Sequence, residues 1–158
     1  MNKTSKIIYF FVSFVFLSLF DKYFSDIILA NLNRLPENPV FDLVFMPNKG
    51  AAFSILQDSR IFLIAFSVVA LLAIIIYTIR HIQKSSGISL FFGALMCAGI
   101  LCNLCERIFY GFVRDYIKLN FIDFPIFNIS DIFINVSVIA IVIIIIKNNF
   151  IKNNETDN

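Results

Sequence analysis

The sequence predicts an all-α polytopic membrane protein in which four transmembrane helices are joined by a short turn on one side and by longer, partly extended segments on the other. Three observations carry this. Hydrophobic residues make up 59% of the 158-residue chain and charged residues only 15%, with a mean hydropathy of +0.84, whereas roughly 25% of a soluble domain is charged. Uncharged, mostly apolar runs of 19 residues (between Arg60 and Arg80) and 21 residues (between Lys84 and Glu106) match the ~20 needed to cross a hydrocarbon core. Several acidic residues beside the runs gather toward one end of them. The whole of 1–158 is read as one integral membrane domain, within the usual size of a single unit.

The first span is expected at about 7–24. Ile7 to Phe20 is apolar and follows Lys3 and Lys6, which also suits the start of a secretory signal. The residues after that core, Leu19 to Phe24, are large or charged rather than small, so an uncleaved helix is expected. The second and third spans are placed at about 61–80 and 86–106. The fourth is placed at about 128–147, because Ile132 to Ile146 supplies 15 uncharged residues and reaches spanning length only if the helix begins near Asn128 and carries Asp131 in its first turn.

Two outer segments, about 25–60 and 107–127, remain. Val40 to Phe45 is rich in β-branched and aromatic residues and is punctuated by Pro36, Pro39, Pro47 and Gly50, a strand signal. Tyr110 to Phe127 has similar composition, so the two are expected to pair as a small sheet near the membrane surface. The polar residues 148–158 are expected to form a cytoplasmic tail with little reason to fold.

Four spans put both termini on one side. The basic residues divide six to seven between the sides, but those beside the termini and the 80–84 turn are concentrated in short segments, which favours a cytoplasmic placement. Composition excludes other classes. No basic block or aromatic-basic interleaving suggests nucleic acid. Cys97, Cys102 and Cys105 fall in one apolar run and His81 is remote from them, so neither a disulfide framework nor a metal site is expected. No cofactor is expected either.

Charges in or beside spans are costly and are candidates for function unless paired. Asp21, Glu106, Asp115 and Asp131 are such charges, all placed near the outer ends of helices or just beyond, where one shallow site can gather them. Each also has a structural reading. Asp131 three residues after Asn128 can cap the fourth helix; Glu106 can pair with Arg107; Asp115 beside Arg114 can be a loop residue; Asp21 beside Lys22 can mark a helix end. The catalytic reading takes Asp115 and Asp131 as two carboxylates facing one water. One, ionised, takes the water proton, and the other, protonated, polarises the carbonyl under attack. Like charge at close range drives their pKa values apart and separates these roles.

Four ordered elements bear on that reading. Asn48-Lys49-Gly50-Ala51-Ala52-Phe53 resembles the N-x-G-A-[AW]-F element of the lipoprotein signal peptidase (signal peptidase II) family. Asn103-Leu104-Cys105-Glu106-Arg107, Gly111 to Ile117 and Phe127 to Asp131 resemble that family's N-x-x-D-R, G-x-V-x-D-[FY]-[IL] and F-N-x-A-D elements. The resemblance covers Asp21 to about Ile146. It implies a four-helix membrane aspartyl peptidase with a small extracytoplasmic β-cradle and a catalytic dyad of Asp115 and Asp131. Asp21, Asn48, Gly50, Asn103, Arg107 and Asn128 would then bind substrate or order the dyad. The implied reaction is cleavage of a diacylglyceryl-modified prolipoprotein just before its lipidated cysteine, at the outer face of the bacterial cytoplasmic (inner) membrane. Partners would be the lipidated precursor and membrane lipid, and the chain is expected to act as a monomer.

The chain departs from the family in places. The D-x-x-T-K element reads Asp21-Lys22-Tyr23-Phe24-Ser25, so the acid stays while Thr and Lys become Phe24 and Ser25. G-G-A-x-G-N becomes Ala98 to Asn103, Glu106 stands for an Asp as the expected partner of Arg107, and Ser130 stands for an Ala. These departures motivate an alternative, a catalytically silent relative that binds lipidated peptides. A transporter or channel subunit is a further alternative, disfavoured because the acids sit near span ends rather than centres and no inverted repeat is seen.

Overall fold

The structure is a computed structural model that describes residues 1–32, 39–50 and 59–156, with side chains as far as Lys147. Element order is α1 (Lys3–Ala30), β1 (Phe41–Asn48), α2 (Arg60–His81), α3 (Gly87–Tyr110), β2 (Val113–Leu119) and α4 (Ile129–Thr156). All four helices are long and apolar enough to cross a bilayer, α4 over Ile129–Lys147.

The helices begin and end where local chemistry satisfies free backbone groups. Asn2 caps α1 by accepting from the Ser5 N–H (2.8 Å), and Ser86 caps α3 by accepting from the Ser89 N–H (3.1 Å), as expected for short polar side chains at an N-cap. Helix α3 ends at Gly111, whose φ of 87° suits the left-handed position that closes a helix. There Arg60, at the start of α2, donates from Nε to the Arg107 carbonyl and from Nη2 to that of Ile108, both at 2.9 Å. A cation thereby meets the negative end of the α3 dipole.

Helix α3 is central, packing on α1, α2 and α4, while α1 and α4 touch only lightly. Its small residues Gly93, Ala94, Ala98 and Gly99 are buried. A Cβ built on Gly99 would stand 2.5 Å from the Ser130 carbonyl oxygen and 2.9 Å from Ile134 Cγ1, so the absence of a side chain brings α4 against α3. The outward faces of α1, α2 and α4 are lined with exposed Phe, Ile, Leu and Val, as a lipid-facing surface requires. Lys6 donates to the carbonyls of Gln83 (2.8 Å) and Ser85 (2.7 Å), tying the start of α1 to the α2–α3 turn. The other end carries the sheet.

Strands β1 and β2 pair antiparallel, with Phe41 opposite Leu119, Met46 opposite Asp115 and Asn48 opposite Val113. Between Leu43 and Met46 the register shifts. Leu43 faces Ile117 and Met46 faces Asp115, so two residues of β1 oppose Tyr116 alone, a β-bulge.

Some expected boundaries need correction. Helix α1 does not stop near Phe24 but runs to Ala30, because Ser25 and Asp26 find partners on other elements instead of marking an exit to water. Helix α3 runs to Tyr110 rather than 106, so the second outer segment starts at Gly111. The backbone of α4 continues to Thr156, and the expected unfolded tail does not hold over 148–156, where helix propagation adds one hydrogen bond per residue. Ala51 to Phe53, in the first motif, and Pro36 lie outside the described residues.

Candidate active site

Asp115 stands on β2, and Asp131 in the first turn of α4. A bridge between Ile117 and Phe127 joins these elements: the Tyr116 and Ile117 N–H groups donate to the Phe127 carbonyl (3.0 and 2.8 Å), and the Phe127 N–H donates back to Ile117 (3.1 Å). Strand β2 is thereby sewn to the residue before Asn128. Asn128 and Asp131 form a reciprocal cap. The Asp131 N–H donates to Asn128 Oδ1 (2.9 Å), and the Asn128 N–H donates to Asp131 Oδ2 (3.2 Å), the geometry of a capping box with Asp in the acidic position. The helix-capping role and membership of the site therefore hold together for Asp131.

The amides order both carboxylates. Asn128 Nδ2 donates to Asp115 Oδ1 (3.0 Å) and to Asn103 Oδ1 (3.1 Å), and Asn103 Nδ2 donates to Asp131 Oδ1 (2.9 Å). Asn48 Nδ2 donates to Asp115 Oδ2 (2.9 Å), a contact that follows from register, since Asn48 lies two places along β1 from Met46, which faces Asp115. Residues two apart share one face of a strand. The Gly50 N–H donates to Asn48 Oδ1 (2.9 Å), and the Gly50 carbonyl accepts from Arg107 Nη2 (2.8 Å). All four carboxylate oxygens of the pair thus have a donor.

Electrostatics distinguish the pair from an exposed ion cluster. Asp115 is 2% exposed. Burial first, and then the charge of Asp131, push its carboxyl up to about 7, against smaller downward pulls from Asn48 and Arg107. Neither acid takes a salt bridge from Arg107, whose Nη1 donates to the Asn103 carbonyl (3.3 Å) and whose buried Nε has no partner among the described residues. The pair is held by neutral donors, and among the described residues the cation beside it keeps one N–H unspent.

Of the residues singled out from sequence, Asn48, Gly50, Asn103, Arg107, Asp115, Asn128 and Asp131 are brought into this one network. Asp21 is not in it. Its buried carboxylate accepts from Ser25 Oγ (3.0 Å) and, at short range, from Ser130 Oγ. It lies on a cavity of about 270 Å3 that Cys102, Glu106 and Arg114 also line. Glu106 does not pair with Arg107. Its Oε1 takes Arg114 Nε (2.8 Å) and Nη2, and its Oε2 takes the Arg114 N–H (2.8 Å). Arg114 in turn reaches Asp26 Oδ1 (3.2 Å) and stacks over the Tyr110 ring, 4.4 Å from its centroid. The reason is helical geometry: neighbouring positions point apart, and Arg107 faces Gly50 while Glu106 faces β2. Sequence reasoning passed over Tyr116, whose buried hydroxyl meets Ser25 Oγ at 2.6 Å and accepts from the Ile129 N–H at 3.3 Å. Burial pushes its phenol up to about 12, so it keeps its proton. The alternation of β2 was the available signal, since consecutive strand residues face opposite sides and both sides here are buried.

Comparison with known proteins decides the family. The family model described as signal peptidase (SPase) II matches residues 13–147. The chain belongs to the signal peptidase II family. Proteins named lipoprotein signal peptidase include one from Streptococcus thermophilus, 37% identical over 108 residues (68% of this chain, 70% of the relative). Another, from Buchnera aphidicola, is 39% identical over 144 residues (85% and 89%), and one from Dehalococcoides mccartyi is 35% identical over 157 residues (94% and 96%). A solved bacterial membrane enzyme superposes with a TM-score of 0.79 at 28% identity, covering 89% of this chain and 88% of that one. The chain is thus a multi-pass bacterial membrane protein of this family, with the helical architecture expected from its sequence.

Proposed function

We propose that this protein is the membrane aspartyl endopeptidase that removes the signal peptide from diacylglyceryl-modified prolipoproteins, with Asp115 and Asp131 as its catalytic dyad. The observation that carries the reading is the pair itself: two carboxylates on different elements, joined through Asn128 and Asn103, one of them buried with its carboxyl pushed up to about 7. Family membership supplies the substrate class.

Asp131 is the ionised member. It sits in the first turn of α4, where the helix dipole and the Asn128 N–H favour negative charge. Asp115, on a strand and more deeply buried, is the protonated member. In the reaction Asp131 takes a proton from water as the oxygen attacks the scissile carbonyl, and Asp115 donates to the developing oxyanion; the tetrahedral intermediate then collapses with proton return to the leaving amine. Arg107 and the Gly50 backbone hold the substrate chain beside the dyad, Arg107 through the Nε–H that has no partner among the described residues. The sheet end of the bundle lies at the outer face and both termini lie in the cytoplasm. The N-terminal end of α1 and the α2–α3 turn, joined by Lys6, hold the concentrated basic residues that favour this orientation. The protein acts as a monomer on a precursor that enters laterally from the bilayer.

The test is cleavage by purified protein, in detergent or lipid, of a diacylglyceryl-modified precursor beside its unmodified form. Cleavage of the lipidated form alone, abolished by Asp115→Asn and by Asp131→Asn in folded protein, is the expected result. Turnover retained in either variant would remove that residue from the dyad, and binding without cleavage by the wild type would favour a silent relative.

A further inference from the structure

Neither acid of the dyad stands on α1, yet a sequence neighbour of each is bound to α1 at one point. Ser130, the residue before Asp131, donates to Asp21 Oδ2. Tyr116, the residue after Asp115, reaches Asp21 Oδ1 through Ser25. The donors along this second arm have a definite order. Ser25 has one hydroxyl proton and gives it to Asp21, so the 2.6 Å bond between Ser25 and Tyr116 uses the Tyr116 proton, and the Tyr116 oxygen is left to accept from the Ile129 N–H. The chain runs Ile129 N–H to Tyr116 O–H to Ser25 O–H to the Asp21 carboxylate. Asp21, Ser25, Tyr116 and Ser130 are all buried, with Asp21, Ser25 and Ser130 bordering the cavity beside Glu106, and a buried polar group that loses its partner is costly.

Resting on the dyad assigned above, we propose that Ser25, Tyr116 and Ser130 are positioning residues that act through Asp21. By fastening β2 and the first turn of α4 to the same carboxylate of α1, they set the spacing between Asp115 and Asp131. The two serines occupy positions where the family pattern has a lysine and an alanine, and the tyrosine a position where that pattern also admits Phe. The hydroxyl network is thus a device of this chain's own residues.

The test uses the full chain in detergent or lipid, the lipidated precursor, and the variants Tyr116→Phe and Ser130→Ala, each of which removes one hydroxyl and adds no volume. Small misplacement of catalytic groups is expressed in turnover. Each variant is expected to lower kcat per folded molecule roughly tenfold with KM within about twofold. In Tyr116→Phe the alkaline limb of the pH profile is expected to move to lower pH, because a wider pair lets the charge of Asp131 act less on Asp115. A purely structural role would reduce the folded fraction and leave that limb in place. If the wild type cuts and both variants match it in kcat, KM and pH profile, this proposal fails and the dyad stands; a wild type that does not cut overturns both. Should Ser130→Ala not fold, Tyr116→Phe carries the test alone.

Discussion

Asp115→Asn separates what the buried acid does for catalysis from what it costs the fold. The carboxyl rises from an ordinary 3.8 to about 7 in the folded protein, so the native state holds this proton more tightly than the unfolded chain does. The native state is therefore favoured below pH 4, loses stability as pH rises from about 4 to about 7, and changes no further from this group above that. At about 1.4 kcal/mol per pH unit, the charged form costs on the order of 4 kcal/mol at pH 8. An asparagine removes that cost but not without loss. Asn48 and Asn128 both donate to the Asp115 oxygens, and an amide offers one acceptor where the carboxylate offered two, leaving one donor unmatched at about 1–3 kcal/mol. The net expectation is a variant that is inactive and yet more stable than wild type by ~1–3 kcal/mol at pH 8. At pH 4, where the wild-type carboxyl is itself neutral, only the unmatched donor remains and the variant should be less stable than wild type by ~1–3 kcal/mol. Thermal melts read by thiol exposure suit the measurement, since Cys97 is buried and free. A variant less stable than wild type at pH 8, with the same slope of stability against pH, would refute the assignment of a buried, neutralised Asp115. Cleavage by the wild type should decline above pH 7 as the donor is lost.

Other outcomes follow from the packing. Gly99→Ala forces a Cβ into the Ser130 backbone at 2.5 Å, and because backbone cannot yield as a side chain does, it should cost ~1–3 kcal/mol or more and lower cleavage by pushing Asp131 from Asn103. A melt and a turnover assay on the same preparation check both. Asp123→Asn changes an exposed acid of the outer segment and should cut at the wild-type rate; comparable damage there would point to general misfolding of that segment. Glu106→Gln should weaken the hold on Arg114, at roughly 1–3 kcal/mol, without abolishing cleavage, since the dyad does not touch it; a melt midpoint lowered with turnover preserved is the expected pair of readings.

Sequence by itself determined the four spans, because length and apolarity are demanded by the bilayer at every position and leave a signal that needs no partner. It also determined which polar residues were candidates. Asp115 and Asp131 stood out as acids beside spans, costly unless used, whereas Asn48, Asn103, Arg107 and Asn128 stood out only through the motifs that resemble the family's. What tertiary structure decided is who meets whom. Helix α1 runs on past Phe24 because Ser25 and Asp26 have partners on β2, Tyr116 among them, that no local pattern discloses. Glu106 faces Arg114 rather than its neighbour in sequence because adjacent helical side chains diverge, and the return of β2 brings Arg114 to it. The bulge that offsets β1 against β2 fixes Asn48 on Asp115, and the Asp21 hub joins residues 91 and 109 positions apart. Hydrogen bonds are short-ranged and directional, so such pairings exist only once the helices and the sheet have packed.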